Sequence, residues 1–91
     1  MKIIFNKEEK EAQAIDAGKK IGFCQYEEGD GLWKITHTVV DKEYGGQGLA
    51  AKLLDEVVSA SRENNKKILP ICSYAVKKFD EDEKYKDVDA R

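Results

Sequence analysis

The chain offers few reactive side chains, and each sits in a recognisable stretch. Cys72 in ILPICSYAV follows a short apolar run and precedes a helix-forming one. A thiol beside a helix N-terminus is drawn toward thiolate, so Cys72 can be a nucleophile. Plain core packing is the alternative, because unpaired cysteine is among the most buried residue types. His37, the only histidine, carries an imidazole suited to act as general base. It equally suits a structural role, since LWKITHTVV written as a strand puts Trp33, Ile35, His37 and Val39 on one face. Tyr74 and Tyr85 are phenols able to act as general acids, or simply to pack.

The backbone offers a second kind of chemistry. EYGGQGLAAKLL, from Glu43 to Leu54, sets Gly45, Gly46 and Gly48 ahead of a helical pattern. A glycine turn at a helix N-terminus exposes backbone N–H groups and a positive dipole end, which together attract an anion, above all a phosphate. No Lys-Ser or Lys-Thr follows for a P-loop, and Gly46-Gln47-Gly48 has no third glycine three residues on for a dinucleotide fold. A turn whose glycines serve only packing stands as the alternative.

These groups need elements to position them. Lys2 to Asn6 is apolar at Ile3, Ile4 and Phe5 and suits a first strand, and Lys7 to Ala14 is read as a second strand against some helix propensity. Lys20 to Glu28, with Ile21, Phe23 and Gln25 on one face and Gly22, Cys24 and Tyr26 on the other, joins Leu32 to Val40 through the turn EEGDG. Leu49, Leu53, Leu54, Val57, Val58 and Ser61 recur at helical spacing, which predicts a helix from about Gln47 to Asn64, ending where Asn64 and Asn65 accept a left-handed terminus. Lys67 to Cys72 then reads as a strand, with Ser73 as N-cap of a terminal helix carrying Ala75, Val76 and Phe79. The strand, helix and strand make a crossover whose strands run parallel. The expected fold is α/β with a mixed, mostly antiparallel sheet, a crossover helix and a C-terminal helix.

Bulk properties narrow the function. The 91 residues make a single domain, 1–91, with one modest core. Sixteen basic and 18 acidic residues are interspersed, giving net charge -2 and no basic field for nucleic acid. No run approaches the roughly 20 apolar residues of a membrane span, and the N-terminal apolar run is too short for a secretory signal, so no membrane partner and a cytoplasmic location are expected. Cys24 and Cys72 lack the number and spacing of a disulfide framework or a zinc site and are read as free thiols; no metal is expected. The acidic run Asp80 to Glu83 reads first as solvated surface and second as an attractant for a cationic amine.

The run VVDKEYGGQGLAAKLL resembles the acetyl-CoA-binding motif of the GNAT (GCN5-related) N-acetyltransferases, in which Arg/Gln-x-x-Gly-x-Gly/Ala links a strand to a helix. Gln47 and Gly48 fit the centre of that motif and Ala50 its end, while Gly45 stands where the family carries arginine or glutamine. ITHTVV, ILPICSYAVKKF and Tyr85 in EKYKDV extend the likeness to a compact, single-domain subfamily. After the His-Thr pair that subfamily commonly carries glutamate, and here the residue is Val39.

The resemblance implies acetyl-CoA as cosubstrate and an amine as acceptor. It places the pyrophosphate on the amides of Gly46, Gln47, Gly48, Leu49 and Ala50, with Gly45 beside them. Pantetheine lies along Val39 and Val40 between splayed strands, and Cys72 and Ser73 lie near the thioester. His37, Cys72 and Tyr85 are the implied catalytic groups, with direct attack by the amine preferred over an acyl-cysteine. Two other functions fit the same residues: a CoA-binding module with little or no transferase activity, and an interaction domain that binds no cofactor.

Overall fold

β-branched and aromatic residues build the first half of the chain into a meander. Strands β1 (Lys2–Asn6), β2 (Glu11–Asp16), β3 (Lys19–Gly29) and β4 (Leu32–Val40) follow one another, each antiparallel to the last. Ala17 and Gly18 turn β2 into β3, and Asp30 and Gly31 turn β3 into β4; all four have positive φ, the pair of left-handed residues that a tight hairpin needs. β5 (Lys67–Pro70) then joins β4 in parallel, completing the order β1-β2-β3-β4-β5. Helix α1 (Leu49–Glu63) is the crossover and α2 (Ser73–Glu81) follows β5. This computed structural model describes residues 1–91, and its mixed, mostly antiparallel sheet with two helices is the α/β arrangement the sequence predicts.

Both helices occupy one face of the sheet. The expected stripe of α1 is buried at Leu49, Leu53, Leu54, Val57, Val58 and Ser61. Gly22 lets that helix come close: a Cβ there would lie 3.1 Å from the Val39 carbonyl oxygen and 3.3 Å from Leu53 Cδ1. Beyond α2 the chain turns back over α1, where Tyr85 donates to Asp55 Oδ1 at 2.5 Å and Arg62 Nε donates to Asp87 Oδ2 at 2.9 Å. Phe79 stacks on Tyr85, their ring centroids 4.8 Å apart. The opposite face, with Phe23, Gln25, His37 and Val39, carries no helix. Neither helix is long and apolar enough to cross a membrane.

The element boundaries differ from expectation for local reasons. Lys7 to Lys10 form a turn rather than the start of β2: Asn6 Oδ1 accepts from Glu9 N at 3.0 Å and Lys10 has φ 57°. Helix α1 begins at Leu49 rather than Gln47, because Gly48 has φ 74°. β5 ends at Pro70, and Cys72 rather than Ser73 caps α2. Two bulges alter the faces. Ala14 opposes Gly22 and Ile15 opposes Lys20, so Ile21 is unopposed and is buried beside Gly22 and Cys24 instead of alternating with Phe23 and Gln25. Gln25 opposes His37 and Tyr26 opposes Ile35, which leaves Thr36 as the extra residue of β4.

Candidate active site

The bulge at Thr36 decides what β4 presents. Trp33 and Ile35 are buried under the helices, but past Thr36 the alternation is reset, so Thr38 and Val40 take the core side. His37 and Val39 face outward, with Val39 45% exposed, which corrects the single face expected for Trp33, Ile35, His37 and Val39. His37 Nδ1 lies 3.1 Å from Thr36 Oγ1 and the ring is open to solvent.

At the same level β4 and β5 part. Their last pair is Ile35 with Pro70, and the amides of Ile71 and Cys72 both donate to the Ile35 carbonyl at 3.0 Å, which closes the vertex. From Thr36 to Val40 the β4 backbone has β3 on one side and no strand on the other. An extended chain bearing amides can pair with such an edge.

Three residues beside the vertex form a polar chain. Cys72 Sγ accepts from the Ala75 amide at 3.4 Å, as the N-cap of α2, and lies 3.5 Å from Thr38 Oγ1. Thr38 in turn donates to Cys24 Sγ at 3.5 Å. A hydroxyl has one hydrogen, so while Thr38 donates to Cys24 the Cys72 thiol donates to Thr38. Burial pushes the Cys24 thiol up to about 12, outweighing the Thr38 hydrogen bond, so Cys24 is an inert, protonated partner. Both cysteines are free. Thr38 was not among the residues singled out from sequence; the bulge that turns it inward leaves no mark in the hydrophobic pattern.

The glycine turn lies at the far end of β4. A single 3₁₀ turn, Lys42–Tyr44, leads into Gly46 and Gly48 at φ 77° and 74°, a backbone region that L side chains enter at a cost, so both glycines are required by conformation. Gly45, at φ -64°, is not; a Cβ there meets only the Lys42 carbonyl oxygen, at 3.3 Å. Between Gly45, which donates to Lys42, and Lys52, which donates to Gly48, no amide finds a backbone acceptor, and α1 has no side-chain cap. The N–H groups of Gly46, Gln47, Gly48, Leu49, Ala50 and Ala51 are therefore available to an anion such as a pyrophosphate. That is the donor set acetyl-CoA would require.

Tyr74 and Tyr85 are placed differently. Tyr74, in the first turn of α2, has its hydroxyl pKa raised by burial, with Asp55, Cys24 and Cys72 contributing to the same direction. Tyr85 is buried, its proton engaged by Asp55, and burial followed by that hydrogen bond raises it strongly. Three of the four acids in the acidic run have partners: Asp80 pairs with Arg91, Asp82 accepts from the Lys84 amide and Glu83 lies near Lys86. The two surface cavities lie away from the vertex. One, of about 380 Å³, is lined by Arg62, Asn65, Lys66, Lys67, Asp87 and Val88; the other, of about 390 Å³, by Met1, Lys2, Ile15, Ala17 and Gly18.

Comparison with known proteins gives this geometry a family. The profile of the GCN5-related N-acetyl-transferases matches residues 10–88. The solution structure of a GCN5-like candidate N-acetyltransferase from Staphylococcus aureus is similar over 96% of this chain and 85% of its own, at 35% identity and a TM-score of 0.75. Two more distant structures share the fold. A candidate streptothricin acetyltransferase from Bacillus anthracis str. Ames, in complex with acetyl coenzyme A, matches 78% of this chain at 24% identity and a TM-score of 0.62. A ribosomal-protein-alanine N-acetyltransferase from Brucella melitensis biovar Abortus 2308 matches 89% at 20% identity and a TM-score of 0.59. This chain spans only 43% and 62% of those two proteins. No curated protein matches it. With the glycine turn and parted strands lying inside the matched span, the chain belongs to the GCN5-related N-acetyltransferase family.

Proposed function

We propose that this protein is an acetyl-CoA-dependent N-acetyltransferase that moves an acetyl group to an amine by direct attack. The observation that carries the reading is the pairing of an open β4 edge with a glycine turn whose amides have no partner. In this reading the turn, Gly46 to Ala50 with Gly45 beside it, holds the pyrophosphate. Val39 and Val40 pair with the pantetheine amides, and Ser73 and Cys72 lie at the thioester. Acetyl-CoA supplies an activated acyl group on a good leaving thiolate.

His37 is exposed on the helix-free face and takes the proton of the incoming ammonium. The neutral amine nitrogen then bonds to the thioester carbonyl carbon as the C–S bond breaks; the departing thiolate needs one proton, and the second proton, shed by the acylated nitrogen, restores the acid that supplies it. We assign the thiolate's proton to Tyr74, in the first turn of α2, while the Tyr85 hydroxyl is engaged by Asp55. Holding donor and amine together supplies much of the rate. Cys72, tied to the Ala75 amide and to Thr38, lines the acetyl site in this mechanism. Acyl transfer through its sulfur is the competing route.

Titration calorimetry with acetyl-CoA, followed by CoA-release assays over a panel of small amines and amine-bearing peptides, tests the reading. Binding with release above solvent hydrolysis is expected. One observation favours a second reading, a CoA-binding module: Val39 is apolar and exposed at a position where the resembled subfamily commonly has a carboxylate. Binding without release from any amine would select it, and no CoA binding at millimolar concentration would leave a cofactor-free interaction domain.

A further inference from the structure

The segment that carries the proposed pyrophosphate cradle is almost detached from the rest of the fold. From Asp41 to Gly48 every residue is exposed except Tyr44, which packs against the core. The only backbone hydrogen bonds inside it are local, Tyr44 N to Asp41 O at 2.9 Å and Gly45 N to Lys42 O at 3.1 Å. Its entry is fixed by Asp41 N on Ile21 O, at 2.8 Å, and its exit by the helix itself. Between these two points one side-chain hydrogen bond reaches the body of the protein: Tyr44 Oη donates to Asp16 Oδ2 at 2.6 Å.

Asp16 ends β2, and the turn of Ala17 and Gly18 fixes it relative to β3. Its other oxygen lies 3.9 Å from the N-terminal ammonium. With a carboxylate as acceptor, the bond from Tyr44 belongs to the stronger, charge-assisted class. It also raises the Tyr44 pKa.

We propose that Tyr44 is a positioning residue for the acyl donor: its hydrogen bond to Asp16 holds the glycine turn in the shape that receives the pyrophosphate. Three glycines in four positions leave the turn with more backbone freedom than other residues would, and an anion can bind only the conformers whose amides converge. A tether at Tyr44 reduces the freedom lost on binding, which is how preorganisation strengthens affinity. Tyr44 touches no reacting atom in this account. Its effect is confined to ligands that carry the pyrophosphate, and it rests on the acetyl-CoA reading given above.

The test uses the full chain, Tyr44→Phe, which keeps the ring and removes only the hydroxyl, Asp16→Ala, and the double variant. Calorimetry with CoA should show Tyr44→Phe roughly tenfold weaker, equivalent to about 1.4 kcal/mol. Asp16→Ala should match it and the double variant should be no worse than either. Acetyl-pantetheine, which lacks the pyrophosphate, should bind wild type and Tyr44→Phe alike, and amide exchange should quicken at residues 45–48 and not in β3 or β4. Wild-type CoA affinity unchanged by Tyr44→Phe overturns this inference alone, as does an equal loss for acetyl-pantetheine. A wild-type chain that binds no CoA overturns the transferase reading and this inference together; the exchange measurement then still reports whether the tether orders the turn.

Discussion

Two helices begin at the same end of the sheet, one after β4 and one after β5, and their first turns are treated in opposite ways. α1 starts on Gly48, with no side-chain cap and a run of amides that donate to nothing. α2 starts on Cys72, whose own sulfur accepts from the Ala75 amide. A helix start always leaves orphan donors. One start leaves them unpartnered, while the other uses one to fix a thiol beside the vertex where β4 and β5 part. The difference follows from residue type: glycine can take the left-handed approach and brings no acceptor, and cysteine brings an acceptor of its own.

Closing the open start should have the largest effect. Gly48→Val forces a β-branched residue to φ 74°, at a cost of about 1–3 kcal/mol. Calorimetry should find CoA binding weakened by one to two orders of magnitude, whereas an unchanged affinity would mean the turn is not the cradle. Gly22→Ala attacks the seat of α1 rather than its start. The added Cβ would meet the Val39 carbonyl oxygen at 3.1 Å, and overpacking of this kind costs about 1–3 kcal/mol, to be read as a lower midpoint in urea. Stability equal to wild type would show that β4 and α1 can separate there without penalty.

Filling the open start with charge should act in the other direction. Gly45 has an ordinary φ, so Gly45→Arg can add a guanidinium beside the cradle for the small displacement that its 3.3 Å contact with Lys42 requires. CoA should bind several-fold more tightly, by about 1 kcal/mol, and a loss of affinity would tell against this placement. Uncapping α2 is smaller. Cys72→Ala removes the Ala75 acceptor and should cost no more than about 1 kcal/mol in thermal or urea unfolding. Under direct attack this variant keeps turnover within roughly tenfold of wild type. An acetyl mass adduct on wild type that vanishes in Cys72→Ala, together with lost turnover, would establish the acyl-cysteine route instead.

The least perturbing probe is pH, and it separates the two thiols that Thr38 joins. Burial holds the Cys24 proton up to about 12, above the ordinary 9.0, so the folded state binds that proton more tightly than the unfolded state does. Its stabilising effect is complete below about pH 8 and declines as pH rises past 9. Alkylation at pH 8 should label Cys72 alone, with Cys24 reacting only after unfolding; equal labelling of both would contradict the burial of Cys24.

Much of this was legible from residue order. The α1 stripe from Leu49 to Ser61, the Asp30-Gly31 hairpin and the left-handed helix exit, found at Asn65, are local patterns that keep their meaning in any fold. The glycine turn was legible too, but not which of its glycines the conformation requires: Gly46 and Gly48 have positive φ and Gly45 does not. The faces of β3 and β4 were not, because one unopposed residue, Ile21 or Thr36, reverses every side chain beyond it while the sequence still alternates. Tyr85 gave no sign of its partner, which lies 30 positions earlier on α1.

The sequence by itself therefore determined the elements, their order and the glycine turn, since helix and strand periods and the left-handed preference of glycine are properties of neighbouring residues. Tertiary structure alone decided that Thr38 turns inward to Cys72, that His37 stands on the bare face, and that the turn hangs from Tyr44 on Asp16. Those contacts join residues 28 to 34 positions apart, or depend on a strand's partner, and no local pattern encodes which distant group will be met.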